Sequence, residues 1–364
     1  MRIKLNSNIL FVAGGTGGHI FPALSVYHLF KNQDNKLFFA TDHRGLKFEK
    51  ILSINPFLIN ALGYEGKSFY KKFVSLVLLI YETFRATLFI KKNKIKIIIG
   101  FGSYVQVPFV LAALIMKKNV ILHEGNAVIG RANKIFWKYI KVRTSAYNLK
   151  HFFPDTIQIG MPIRNEIVKL YNNKYEPQTS KGLFNLLILG GSQGSNILST
   201  NLSRVIVKLP IYLRKKIIIF HQARDEHLAI VKKIYKKYNI KAYVNSFFKD
   251  INNYIGQASL VISRAGSSTI HENITAGIPA IYFPIKKSVG NHQYENALVL
   301  KKNNAAWIFN EEDINNGIFL KSLIQIITKP ELLKQFSFNN KSLGKPLASE
   351  RFKEIILGLE AKNV

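Results

Sequence analysis

Cysteine is absent from this chain of 364 residues, which excludes disulfides and thiolate chemistry. No uninterrupted apolar run reaches the ~20 residues that a membrane span requires. The first apolar stretch, residues 9–13, is short and runs into glycines, so it reads as a core strand and not a signal peptide, and cytoplasmic residence is expected. Acidic residues are few, 21 against 52 Lys and Arg, leaving a formal charge of +31. Nucleic acid is the obvious partner for such a charge, yet there is no RNP-type segment, no zinc-finger spacing and no basic run interleaved with aromatics; none is expected to bind. Lysines fall nearly everywhere, often beside Asn and Ile, which suits a compositional bias as readily as a polyanion site. No D-x-D triad stands at a strand end, so no bound metal is expected.

What the chain does have is a glycine loop, Gly14-Gly15-Thr16-Gly17-Gly18-His19, directly after that first strand and before Phe21-Pro22. Glycines let a backbone approach an anion closely, and a following helix offers free N–H groups and the positive end of its dipole, with Pro22 suited to a first helical turn. A dinucleotide fingerprint fails because Ile20 stands where a small residue is needed, and a Walker loop fails because His19-Ile20 replaces Lys-Ser/Thr. His19 points instead to a transferase that activates a hydroxyl beside a diphosphate.

A second loop of the same kind, Gly190-Gly191-Ser192-Gln193-Gly194-Ser195, follows the apolar run 184–189. The two loops lie 176 residues apart, too far for a solenoid repeat and suited to two similar domains. Short apolar runs at 36–40, 95–99, 120–123, 142–145 and 156–159, then at 217–220, 242–244, 259–262, 280–283 and 305–308, alternate with helical patterns. The expected fold is therefore α/β, with two Rossmann-like, doubly wound parallel sheets facing an interdomain cleft. Expected boundaries are 1–162, 163–340 and a C-terminal helix in 341–364 packing back on the first domain. Ligands of such sheets collect beyond the strand carboxyl ends, where Ser103, Tyr104, His123, Glu124, Asn126, Ser192, Gln193, His221, Gln222, Arg264, Gly266, Ser267, Ser268, Thr269, His292 and Gln293 all fall.

One basic region is better organised. Lys67, Lys71 and Lys72 precede the apolar residues 73–81, and Lys91, Lys92, Lys94 and Lys96 follow the same stretch, interrupted by Glu82 and Arg85. Leu76, Leu79 and Ile80 between lysines suit a helix on an anionic membrane surface. A core helix with solvated lysine ends satisfies the same letters.

These residues together resemble the MurG-type family of glycosyltransferases, family 28. These enzymes use UDP-N-acetylglucosamine to glycosylate the undecaprenyl-diphosphate-linked MurNAc-pentapeptide of peptidoglycan synthesis. The markers span the chain: the first glycine loop, Gly102-Ser103-Tyr104-Val105, His123-Glu124 with Asn126, Pro162 to Arg164, the second glycine loop, Ser263 to Gly266 with Thr269 and Glu272, and Gln293 with Asn296-Ala297. The resemblance implies the GT-B fold, with the UDP-GlcNAc donor mainly on the C-terminal domain and the lipid acceptor on the N-terminal one. It implies that Ser192, Gln193 and the loop from Gly266 through Ser267 and Ser268 to Thr269 hold the UDP phosphates, with Arg164 and Arg264 nearby. Phe248 would lie on the uracil, Glu272 on the ribose hydroxyls and Gln293 on the sugar.

Thr16, Gly17, Gly18 and Asn126 would also face the donor, and Tyr104 and Asn133 the acceptor. His19 is the expected general base, since an imidazole titrates near neutrality, and Glu124, raised by desolvation in a closed cleft, is its rival. The resemblance further implies a peripheral protein at the cytoplasmic face of the bacterial inner membrane, with anionic lipids and other cell-wall synthesis proteins as partners and no cofactor. A lipid glucosyltransferase, a UDP-GlcNAc 2-epimerase and a non-catalytic nucleotide- or RNA-binding protein are the alternatives. Four positions depart from the family pattern: Gly125 for glutamine, Met161 for asparagine, Ser199 for asparagine and Arg224 for glycine. The acidic cluster Glu311-Glu312-Asp313 reads as a solvated helix start.

Overall fold

The computed structural model describes residues 7–31, 36–60, 69–178, 182–190, 196–285 and 289–361. The chain divides into two compact units, Met1–Arg164 with Leu347–Val364, and Asn165–Pro346.

In the first unit seven strands, β1 (Asn8–Val12), β2 (Leu37–Thr41), β3 (Phe57–Leu58), β4 (Ile95–Gly100), β5 (Asn119–Glu124), β6 (Val142–Ser145) and β7 (Ile157–Gln158), form a parallel sheet in the order β3-β2-β1-β4-β5-β6-β7. β1 is an interior strand, with Leu10 in register with Phe38 on one side and Ile98 on the other. Its residues alternate between two cores, Leu10 and Val12 on one face, Ile9 and Phe11 on the other. That double burial is why parallel strands read as unbroken apolar runs. The helix Ala348–Ala361 covers one face, where Phe352 stacks on Phe101 with ring centroids 5.4 Å apart.

The second unit repeats the plan. Its strands β8 (Phe184–Leu189), β9 (Ile217–Gln222), β10 (Lys241–Asn245), β11 (Leu260–Ser263), β12 (Ala280–Tyr282) and β13 (Ala306–Ile308) run parallel in the order β10-β9-β8-β11-β12-β13. In both sheets the strand order reverses beside the first strand, between β1 and β4 and between β8 and β11. Ligand sites of doubly wound sheets open at those two places.

Three elements differ from the sequence expectation. The two-residue β3 follows Pro56 and carries no periodicity of its own; pairing with β2 creates it. The first helix begins at Gly17, so Pro22 lies in its interior, where it has no N–H to give to a preceding carbonyl. The helix Phe69–Lys92 is continuous over 24 residues, and its segment from Phe73 onward is long and apolar enough to cross a membrane. Its Ser75, Glu82, Ala86 and Ile90 are nevertheless buried against the first unit. Glu82 accepts from the Asn60 backbone at 3.1 Å and from Arg85 at 2.8 Å, so the charges that interrupt the apolar run clamp the helix inward.

Candidate functional site

The first glycine loop crosses from β1 into the helix Gly17–Tyr27 at the β1/β4 switch point. Gly15 has φ of +82°, and its N–H donates to Asp42 Oδ1 at 3.0 Å. The same oxygen accepts from Gly45 N at 3.1 Å, and Oδ2 takes Arg44 Nε at 2.7 Å. Asp42 and Arg44 escaped the sequence reading, although Asp42 immediately follows β2 and the strand-end rule points to it. His19 Nδ1 lies 3.2 Å from the Gly14 carbonyl oxygen. Toward a carbonyl that nitrogen donates, so the neutral ring carries its lone pair on Nε2.

Gly102 sits under this imidazole with φ of +92°, and a Cβ there would stand 3.0 Å from His19 Cδ2. Tyr104 is half-buried and packs on the core, while Thr16 and Gly17 open the first helix with Gly18. Arg164, expected beside the UDP phosphates, lies within the first unit with its guanidinium 4.6 Å over the Phe21 ring.

Glu124 and Asn133 depart most from expectation. Glu124, at the end of β5, is buried, and Oε1 accepts from Asn126 N at 2.9 Å and Asn126 Nδ2 at 3.0 Å. Oε2 accepts from Gly130 N at 2.7 Å and Asn133 Nδ2 at 2.9 Å. A carboxylate with both oxygens so engaged organises the loop 125–130 and pins it to Asn133 in the helix Arg131–Phe136. Asn133 is also buried, donating to His123 O at 3.1 Å and accepting from Gln106 Nε2 at 2.6 Å, so its amide is committed internally. Gln106 carried no sequence signal.

In the second unit, Ser192 and Gln193 lie outside the described residues. The chain after them enters a π-helical turn, Ile197–Asn201, whose Leu198 carbonyl accepts from His221 Nε2 at 2.9 Å. His221 Nδ1 accepts from the Tyr235 hydroxyl at 2.8 Å, and burial pushes this histidine down to about 4. At the β8/β11 switch point Gly266 precedes the helix Ser267–Ala276, with no side chain capping its N-terminus. Ser267, Ser268 and Thr269 form its first turn, and Glu272 is buried further along. His271 Nδ1 donates to the Ser267 carbonyl at 2.8 Å, and burial lowers it to about 4 as well.

Arg264 donates to Phe283 O at 3.0 Å and pairs with Glu311 at 2.5 Å. The acidic cluster is thus not merely solvated, because Glu311 holds this arginine. Gln293 Oε1 accepts from Ile285 N at 3.2 Å. Phe248, expected against a base, is buried on Tyr254 with ring centroids 4.5 Å apart. Among the described residues no group of three or more His, Asp or Glu side chains could hold a metal ion.

The four departures from the family pattern form two touching pairs. A Cβ on Gly125 would stand 2.8 Å from Met161 Cε, and Arg224 N donates to Ser199 Oγ at 3.2 Å. Each unusual residue therefore has its unusual neighbour.

Two doubly wound parallel sheets, each with a glycine-rich sequence after its first strand, define a two-unit α/β protein. Residues 9–144 match the glycosyltransferase family 28 N-terminal domain, and residues 185–355 match the glycosyltransferase family 28 C-terminal domain. The chain belongs to glycosyltransferase family 28.

It is 33% identical to the UDP-N-acetylglucosamine–N-acetylmuramyl-(pentapeptide) pyrophosphoryl-undecaprenol N-acetylglucosamine transferase of Paramagnetospirillum magneticum, over 96% of each chain. It is 31% identical to the Granulibacter bethesdensis protein of that name, over 98% of this chain and 94% of the relative. The crystal structure of Acinetobacter baumannii MurG superposes with a TM-score of 0.80 at 26% identity, covering 98% of this chain and 99% of that one. A UDP-N-acetylglucosamine 2-epimerase shares the fold alone, with a TM-score of 0.65 at 13% identity and coverage of 98% of each chain.

Proposed function

We propose that this chain transfers GlcNAc from UDP-GlcNAc to the C4 hydroxyl of MurNAc in undecaprenyl-diphospho-MurNAc-pentapeptide, with inversion at the anomeric carbon. The observation that carries this reading is the near-full-length identity to relatives of that name, with a histidine at the first glycine loop. The acceptor oxygen attacks the anomeric carbon, the bond from that carbon to the UDP oxygen breaks, and the hydroxyl proton passes to His19 Nε2. Holding Nδ1–H on the Gly14 carbonyl orients the ring for this transfer.

The departing UDP gains negative charge on its diphosphate. The helix N-terminus at Gly266, with Ser267, Ser268 and Thr269 in its first turn, supports the assignment of that charge to this helix end, together with Ser192 and Gln193 by resemblance. Arg264, held by Glu311, supplies a fixed cation, while Glu272 takes the ribose hydroxyls and Gln293 the sugar. Asn126, fastened by Glu124, and Tyr104 face the reacting sugar and acceptor.

The lipid tail requires the first unit to dock on a membrane. The helix Phe69–Lys92 supports this, because Phe73, Leu76, Val77, Ile80, Tyr81, Phe84 and Leu88 share one exposed face, with Lys91 and Lys92 at its end. We place the protein at the cytoplasmic face of the bacterial inner membrane. Leu79, in contrast, packs partly on the core.

Incubation with labelled UDP-GlcNAc and the lipid-linked muramyl acceptor should move label into the lipid fraction. Conversion of UDP-GlcNAc to UDP-ManNAc without transfer, or no turnover of either kind, would overturn the reading.

A further inference from the structure

We propose that Gln106 is a positioning residue for the transfer, setting the stand-off between the loop 101–105 that follows β4 and the imidazole of His19; this rests on His19 being the base. Gln106 opens the helix Gln106–Ile115, yet its side chain is fully buried and turned back beneath the loop that precedes it. Its Oε1 accepts from Gly102 N at 2.8 Å, and its Nε2 donates to Asn133 Oδ1 at 2.6 Å. A Cβ on Gly100 would collide with that Oε1, so glycine is what leaves room for the amide.

The loop it holds needs holding. Gly102 and Ser103 take successive positive φ values of +92° and +67°, and for Ser103 that conformation is strained. Gly102 is also the residue against the Cδ2–Nε2 edge of His19, where a Cβ would come within 3.0 Å and 3.2 Å of those atoms. A shift of Gly102 therefore alters the space beside the nitrogen assigned to take the proton.

The other arm of the amide reaches the helix Arg131–Phe136, which follows the loop 125–130. Asn133 Nδ2 donates to Glu124 Oε2 at 2.9 Å, and Glu124 Oε1 accepts from Asn126. One buried amide thus ties the loop beside His19 to the loop that carries Asn126. Buried networks of this kind behave as units, and removing one member leaves its partners unsatisfied. Gln106 is 0% exposed, so it acts on the reaction only through what it holds.

The test is a double-mutant cycle in the transfer assay with Gln106→Met, His19→Ala and the combined variant. Gln106→Met should lower kcat about 10- to 100-fold with the donor KM within about twofold, as displacement of a reacting group by a fraction of an ångström to one ångström does. In the His19→Ala background the same change should cost less than about threefold, because its target is gone. An unchanged kcat for Gln106→Met, or an equal loss in both backgrounds, overturns the proposal. Near-normal turnover of His19→Ala would instead remove the base assignment on which it rests. Should Gln106→Met fail to fold, Gln106→Asn carries the cycle with the same expected outcomes, since its amide is one methylene too short to reach both Gly102 N and Asn133 Oδ1.

Discussion

A histidine held on the Gly14 carbonyl and a carboxylate tied by four donors respond differently to truncation. His19→Ala removes a proton acceptor from a half-buried position in the first turn of the first helix, so kcat should fall by about 10²–10⁴ while the thermal midpoint stays near that of the parent chain. Glu124→Gln instead turns an amide –NH₂ toward backbone and side-chain donors that now share the carboxylate. It should destabilise the first unit by about 1–3 kcal/mol, read from denaturant melts. Full stability with lost turnover in Glu124→Gln would return the base to Glu124. The pairing of unusual residues is testable at the same scale. Met161 is buried with its Cε where a Gly125 side chain would begin, so Gly125→Gln should overpack the site and cost about 1–3 kcal/mol. Adding Met161→Asn should recover most of that loss. Additive destabilisation in the double variant would show that the two positions do not compensate each other.

Among the elements, strands were the most legible in the sequence, because a strand buried on both faces needs neither partner nor turn to announce itself. β8 and β6 fall where the apolar runs place them, whereas β3 exists only through β2. Helix faces were less legible. The lysine-flanked apolar stretch left a core helix and a membrane helix equally open, and Phe69–Lys92 has both characters, a buried stripe through Ser75, Glu82, Ala86 and Ile90 and an exposed apolar stripe opposite. Leu79 illustrates the limit, since its neighbour Ile80 is 64% exposed while it leans on the core; one residue is 100° of helix. Phe73, Ile80 and Phe84, each at least 60% exposed, are the side chains to test. Changing all three to serine should lower the partition onto anionic vesicles at least tenfold in sedimentation, given the ~1.5–3 kcal/mol that a large apolar side chain gains on full burial. Binding by the parent chain should also weaken as salt shrinks the Debye length from about 10 Å at 0.1 M to about 3 Å at 1 M. Equal sedimentation of the two folded proteins would move the docking face elsewhere.

Over the whole molecule, two sheets that share their strand order over six strands explain why the two glycine loops announce themselves in the sequence and their surroundings do not. The loops follow interior strands and have local signatures; Gln106, Asp42 and the inward turn of Phe248 depend on which way side chains point between elements far apart in the chain. The +31 charge is a property of the same scale, and it complicates any acid titration, because protonating carboxylates adds to the self-repulsion. Two buried histidines make a separate contribution. His221 and His271 are each lowered by burial from 6.5 to about 4, so between those values the unfolded chain binds protons that the folded chain refuses. Their neutral forms are fully compatible with the fold above pH 6.5, and stability should fall as pH drops from 6.5 toward 4, by up to about 3 kcal/mol per histidine. Denaturant melts at pH 7, 6 and 5 in high salt, which screens the surface repulsion but not the buried rings, should show this slope. His221→Gln should roughly halve the slope, with some stability lost at every pH because the Tyr235 and Leu198 contacts are remade imperfectly. If the slope in high salt is the same for parent and variant, His221 does not resist protonation in the folded chain, and the acid lability belongs to other groups.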